Sequence, residues 1–180
     1  MINIKTDILE GTIKWLYNGD DIVINKKGII YAFEYGDKMV MIKCKSHNGE
    51  VYFFLYDIQG KFILSYSLNN GEIVTKVNNS ICLEDLVSVE YSKDYNKIIV
   101  LVGKSMQEHK LKILELDGDV VAVITHPKDY YFMSTKYVQD VIMVVCQGIT
   151  DITKDKYGRN DWNFRIDFNN YFVEKVSLTQ

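Results

Sequence analysis

Proline occurs once in this chain of 180 residues, at Pro127, and alanine twice, at Ala32 and Ala122. Alanine leads the helix formers. Its near absence beside thirteen tyrosines and eight phenylalanines disfavours helices and favours pleated strands. With one proline available, turns must be made by Gly, Asn and Asp. Arginine is as scarce, Arg159 and Arg165 being the only two among 21 basic residues. A nucleic-acid binder needs a basic stripe and usually arginine forks, so no nucleic-acid partner is expected. No apolar run approaches the length of a membrane span, and the N-terminal segment carries Lys5, Asp7 and Glu10 where a signal peptide needs an apolar core. These absences exclude a membrane partner and point to a cytoplasmic protein.

Cysteine is limited to Cys44, Cys82 and Cys146, widely spaced and each among apolar neighbours. A metal site would want a close pair such as C-x-x-C, so all three read as buried, reduced thiols. The net charge of −3 lies in the first half: residues 1–90 hold nine lysines against twelve carboxylates, while residues 91–180 balance twelve against twelve.

What is present is a repeated hairpin. "YFFLYDIQGKFILSY" (Tyr52–Tyr66), "LKILELDGDVVAVI" (Leu111–Ile124) and "FRIDFNNYFVEKV" (Phe164–Val176) each read strand, turn, strand. The turns Asp57–Gly60, Asp117–Gly118 and Asn169–Asn170 supply residues suited to positive φ or to local side-chain bonds with the backbone. Before each hairpin stands a strand apolar on both pleat faces: "MVMIK" (39–43), "IIVLV" (98–102) and "VIMVV" (141–145). Such a strand must be covered on both sides. Before that comes an alternating segment, "YAFEY", "VSVEY" or "YFMSTKYV", followed by a polar connector at 36–38, 92–97 or 139–140. The spacing from Val40 to Ile99 to Ile142 is 59 and then 43 residues, because "SLNNGEIVTKVNNSICLEDL" is inserted after the first unit. "GTIKWLYNGDDIVIN", with Asn18-Gly19 as its turn, adds a further hairpin.

A four-strand meander with a two-faced apolar strand inside and a D-x-x-G or D-G turn between its outer strands resembles a β-propeller blade. The resemblance covers about residues 28–178 and implies an all-β fold. The antiparallel meanders would form an open or half β-propeller of about three blades, with a β-sandwich as the alternative. One domain, 1–180, would contain units of about 28–66, 86–124 and 131–178. Three blades cannot close a ring. The bare end faces must be capped by the N-terminal segment and the insertion, or covered in a homodimer.

Chemistry is harder to find. His47, His109 and His126 are the only histidines, and none stands in a nucleophile motif, so they read as loop or surface residues. No catalytic residue, metal ligand or cofactor is assigned. The loop "QGITDITKDKYGRNDW" (147–162) is longer than a hairpin needs, and long loops inside compact domains are as a rule either functional or disordered. Its aspartates at 151, 155 and 161 lack calcium-loop spacing. Tyr157, Arg159 and Trp162 are of the types that dominate binding hot spots, although Trp162 also begins a strand and fits a core. With Asp155 and Asp161 they form the first candidate contact surface. The acidic pairs Asp20-Asp21 and Glu84-Asp85 form the second, the alternative being solvated turns. Trp15, Tyr17, Tyr130 and Tyr131 are candidate stacking aromatics for a carbohydrate or other small ligand.

An acidic, β-rich chain of this size, with the Lys-, Asn- and Ile-rich usage of AT-rich coding, is similar in character to bacterial toxin-immunity proteins. That resemblance implies a non-enzymatic protein that covers a cognate toxin's active site, such as that of a nuclease. Acidic groups would steer the encounter and aromatics would slow release.

Overall fold

The computed structural model describes residues 2–36, 38–138 and 140–179, so Asp37 and Gln139 of two predicted connectors lie outside the described residues. Every regular element described is an antiparallel strand, apart from one 3-10 turn at Asp151–Thr153. The chain divides into two compact units, Met1–Cys82 and Leu83–Gln180.

In the first unit, β1 (Lys5–Asp7), β2 (Thr12–Tyr17) and β3 (Asp20–Asn25) form one sheet. The β2–β3 turn holds Asn18 and Gly19 at φ 52° and 94°, which sets Tyr17 opposite Asp20 in the two-residue hairpin that Asn-Gly favours. A six-stranded sheet follows in chain order: β4 (Ile29–Tyr35), β5 (Met39–Lys45), β6 (Val51–Asp57), β7 (Phe62–Tyr66), β8 (Glu72–Thr75) and β9 (Ser80–Cys82). The inserted segment therefore extends the first meander by two strands, β8 and β9. Ile13 and Trp15 of β2 share a core with Val40, Ile42 and Cys44 of β5 and with Tyr56 of β6.

The second unit pairs two four-stranded meanders. One comprises β10 (Leu86–Ser92), β11 (Lys97–Val102), β12 (Lys110–Leu114) and β13 (Val120–Thr125). The other comprises β14 (Tyr130–Val138), β15 (Val141–Gly148), β16 (Asp161–Asp167) and β17 (Phe172–Leu178). Ile99, Leu101, Leu111 and Ile113 of the first face Phe132, Ile142, Val144 and Phe164 of the second. Each such side chain contributes about 1.5–3 kcal/mol by leaving water. The sheets approach most closely at their first strands, β10 and β14. There the Thr135 hydroxyl donates to Ser88 Oγ at 2.8 Å, and the Tyr137 hydroxyl donates to the Tyr91 carbonyl.

The strands apolar on both pleat faces are interior. Met39, Val40, Met41 and Ile42 are all buried, as are Ile98 to Val102, so consecutive residues on opposite faces are dry. In β15 the face carrying Ile142, Val144 and Cys146 is buried, while Val141 on the other is partly open.

The three meanders share a finer pattern. Gly28, Asp85 and Asp129, each one residue before a first strand, have φ of 68°, 54° and 66°. Each carbonyl accepts an N–H from the end of its second strand or just beyond: Lys45 to Gly28 at 2.8 Å, Gly103 to Asp85 at 2.9 Å, Ile149 to Asp129 at 3.0 Å. Each first strand then carries a register shift, at Ile29/Tyr31, Leu86/Ser88 and Phe132/Ser134. In every meander, the start of the first strand and the loop between the second and third strands thus meet at one end.

The cysteines differ from expectation. Cys44 and Cys146 are buried, but Cys82 is exposed, because β9 is the outer edge of its sheet and its side chains have no neighbour beyond.

Candidate functional site

The longest of the three loops between second and third strands joins β15 to β16. Its base is closed by the Gly148 N–H donating to the Asn160 carbonyl, and by Asn160 Nδ2 donating back to the Gly148 carbonyl, both at 2.8 Å. Thr153, at the end of the 3-10 turn, is buried directly over Gly148. A Cβ on that glycine would stand 2.1 Å from Thr153 Oγ1, so the contact needs a residue without a side chain.

The outer half is a rigid turn. Asp155 Oδ1 accepts the N–H groups of Tyr157 at 2.9 Å and Arg159 at 2.8 Å, and Gly158 takes φ 81°. The Asp155 N–H donates to the Arg159 carbonyl at 2.8 Å and the Gly158 N–H to the Asp155 carbonyl at 3.0 Å. The same bonds recur in the β6–β7 hairpin, where Asp57 Oδ1 accepts from Gln59 and Lys61 at 2.9 Å and Gly60 takes φ 80°. "DKYGR" therefore repeats "DIQGK". The sequence carried that signal, although the loop read only as long and polar. Arg159 also grips Asp155 Oδ2 through Nε and Nη2 at 2.9 and 2.7 Å. Desolvation opposes ionisation of Asp155, but these hydrogen bonds outweigh it and hold the carboxyl below the usual carboxylate range.

The loop turns Asp151, Lys154, Lys156 and Arg159 outward, and among these charged groups it also presents apolar and aromatic side chains. Ile152 is 85% and Tyr157 71% exposed, Ile149 is also exposed, and the Arg159 guanidinium lies over the Tyr157 ring at 5.4 Å. Trp162 is not part of that surface. It is half-buried at the edge of the core, donates Nε1–H to the Thr153 carbonyl at 2.8 Å, and carries Lys175 Nζ 3.3 Å above its ring. It anchors the loop. Asp161 begins β16 half-buried, and its carbonyl accepts the Thr179 N–H at 2.9 Å.

The predicted acidic pairs occupy different places. Glu84 and Asp85 are exposed just before β10. Since β10 and β14 run side by side in one direction, this pair lies at the same end of the second unit as the long loop. Asp20 and Asp21 are exposed at the start of β3 in the first unit, beside the β6–β7 turn. There Trp15 Nε1–H reaches the Ile58 carbonyl at 2.7 Å.

The predicted stacking aromatics are engaged. Trp15 is 2% exposed and belongs to the core. Tyr130 packs edge-on against Phe164 and accepts a hydrogen bond from Lys175 at 2.7 Å, and Tyr131 meets His126 edge-on. Exposed aromatics lie instead at Tyr95, Tyr157 and Phe172 and on β4, where Tyr31 and Phe33 follow at alternate positions with centroids 5.7 Å apart. The alternation in "YAFEY" was visible, but not which face met solvent.

His109 is in a loop yet buried, its Nδ1 2.7 Å from the Phe132 carbonyl, where it ties the two sheets of the second unit together. No group of three or more His, Cys, Asp or Glu side chains among the described residues is placed to hold a metal ion. No described helix is long and apolar enough to cross a membrane.

No protein-family profile and no curated protein matches this chain. Among solved structures, it is similar to the uncharacterized protein lmo1340 from Listeria monocytogenes EGD-e, at 19% identity and a TM-score of 0.37. The match covers 87% of this chain and 42% of that one.

Proposed function

We propose that this chain is a binding protein with no chemistry of its own, and that the β15–β16 loop is its main contact surface. The observation that carries the reading is the combination at residues 149–159. A backbone locked by Asp155, Thr153 and Trp162 holds Ile149, Ile152 and Tyr157 out in water. Exposing such side chains forgoes their burial, and presenting them on a fixed backbone lowers the entropy lost when a partner covers them. Glu84 and Asp85 at the same end add negative charge suited to drawing in a basic partner.

The partner that fits the overall character is a toxin, with the chain acting as a cytoplasmic immunity protein that blocks it, as a toxin inhibitor would block a nuclease. Asp20 and Asp21 belong to a second contact region of the first unit. The meanders are read as blades of an open or half propeller. The closeness of the first strands β10 and β14 in the second unit favours this reading, since propeller blades converge at their innermost strands. A homodimer is the other partner considered. Val120, Val121 and Val123 are exposed on β13, an unpaired sheet edge of the kind that adds strands from a second copy.

The test uses the purified product of the neighbouring gene, with its toxic activity assayed against increasing amounts of this chain. Stoichiometric inhibition is expected. Ile152→Asp with Tyr157→Ala should weaken binding by about thirtyfold or more, the loss typical of hot-spot residues. A neighbouring product that neither binds nor loses activity sinks the toxin reading. Undiminished binding by the double variant sinks the assignment of the loop.

A further inference from the structure

A second site lies within the first unit, away from the acidic Asp20–Asp21 turn. The segment between β3 and β4 and the loop between β5 and β6 face each other across a cleft of about 550 Å³. The size suits a small ligand. Lys26 and Lys27 stand on one side, Lys45 and His47 on the other, and Phe54 and Cys44 form the apolar wall. The two sides are fixed to the sheets: the Lys26 N–H donates to the Gly11 carbonyl and the Lys45 N–H to the Gly28 carbonyl, both at 2.8 Å. A Cβ on Gly28 would lie 2.0 Å from the Lys45 carbonyl oxygen, so the floor is closely packed backbone.

The charge arrangement is unusual for an acidic chain. No carboxylate lines the cleft among the described residues. None of Lys26, Lys27 and Lys45 takes part in the ion pairs of those residues, which join Lys97 to Glu115, Lys154 to Asp151, Arg159 to Asp155 and Arg165 to Glu174. The carboxylate of Glu50 is taken by the Tyr52 hydroxyl at 2.6 Å. Lys26 Nζ rests 3.8 Å above the centre of the Phe54 ring, which fixes a positive charge beside an apolar surface. Burial lowers the pKa of this ammonium, with the nearby Cys44 opposing. A bound anion would offset the desolvation of the Lys26 ammonium with its own negative charge.

We propose that this cleft binds a small organic anion, its carboxylate or phosphate between Lys26, Lys27 and Lys45 and its apolar body against Phe54. The site lies in the other unit from the β15–β16 loop and does not depend on the protein-binding reading. The full chain is titrated calorimetrically with phenyl phosphate, inorganic phosphate and uncharged benzyl alcohol. Phenyl phosphate is expected to bind saturably at one site, at least about tenfold more tightly than either control, and more weakly as salt rises from roughly 0.05 to 0.5 M. Lys26→Met and Lys45→Met should each weaken it about tenfold, the loss of one charged contact. Lys45 is exposed, so Lys45→Met keeps the fold intact and its circular dichroism unchanged. No saturable binding of phenyl phosphate, equal affinity for inorganic phosphate, or undiminished binding by Lys45→Met would each overturn the proposal.

Discussion

Asp155 and Arg159 close a five-residue unit: one carboxylate oxygen takes two backbone N–H groups, and the other takes two guanidinium N–H groups at 2.9 and 2.7 Å. An exposed ion pair alone contributes little, but here the same carboxylate supplies the acceptors that define the turn. The Arg159 side chain is thereby laid against Tyr157.

The acid response of this turn follows. Because the folded-state pKa of Asp155 is depressed below its ordinary 3.8, its contribution is complete above that value and is lost as pH falls through the lower folded value. In a carboxyl-carbon NMR titration, Asp155 should show a midpoint below 3.8, with the Tyr157 and Arg159 amide shifts moving at the same midpoint. Asp155→Ala should leave both amides without an acceptor and loosen residues 155–159 with little effect on global unfolding. A midpoint at or above the ordinary value would contradict the hydrogen bonding described.

Much of this was legible in sequence where one segment decided the outcome. "MVMIK" and "IIVLV" are apolar on both faces, and only interior strands cover both. Asn18-Gly19 fixes a two-residue turn by φ alone. Other features depend on which side of a sheet is covered, which no single strand reveals. Trp15 stands between Lys14 and Leu16 and reads in sequence as a surface ring, yet β4–β6 cover its face. The lysines of the cleft come from residues 26–27 and 45, and only the pairing of β4 with β5 brings those segments together.

The thiols should separate sharply by reactivity. Cys82 is exposed on edge strand β9, while burial pushes the Cys44 and Cys146 thiols up and disfavours the reactive thiolate. With native protein and an aromatic disulfide reagent, one thiol should react rapidly and two only on unfolding. Mass spectrometry should place the fast adduct on Cys82. Rapid labelling of Cys146 would show that the second unit's core is open.

Phe132 tests the sheet-to-sheet core. It is fully buried on β14 between the two meanders of the second unit, and its carbonyl is held by His109. Phe132→Ala removes a ring that neighbours on two sheets contact, so the site cannot collapse fully, at a cost of about 3–5 kcal/mol. Urea unfolding followed through Trp162, the second unit's own tryptophan, should show the midpoint fall with its slope retained. A loss below about 1 kcal/mol would mean that the two sheets do not share a core there.

The tyrosines make the opposite end of the pH scale informative. Tyr56 is buried and Tyr137 half-buried, and loss of water around the hydroxyl disfavours the phenolate, raising Tyr56 to about 12 and Tyr137 further, the latter with added repulsion from Glu90 and Asp94. Unfolded tyrosine ionises near 10, so both groups favour the folded state fully below that pH. Their contribution falls away as pH climbs through their folded values, because the unfolded chain then sheds protons that the folded chain retains. Absorbance near 295 nm should show a late component from Tyr56 and Tyr137, released together with the loss of strand circular dichroism. Tyr137→Phe should shrink that late component and also cost about 1–3 kcal/mol at neutral pH, because it strips a hydrogen bond from the buried Tyr91 backbone. If every tyrosine titrated near pH 10 while the fold persisted, the packing of Tyr56 and Tyr137 described here would be refuted.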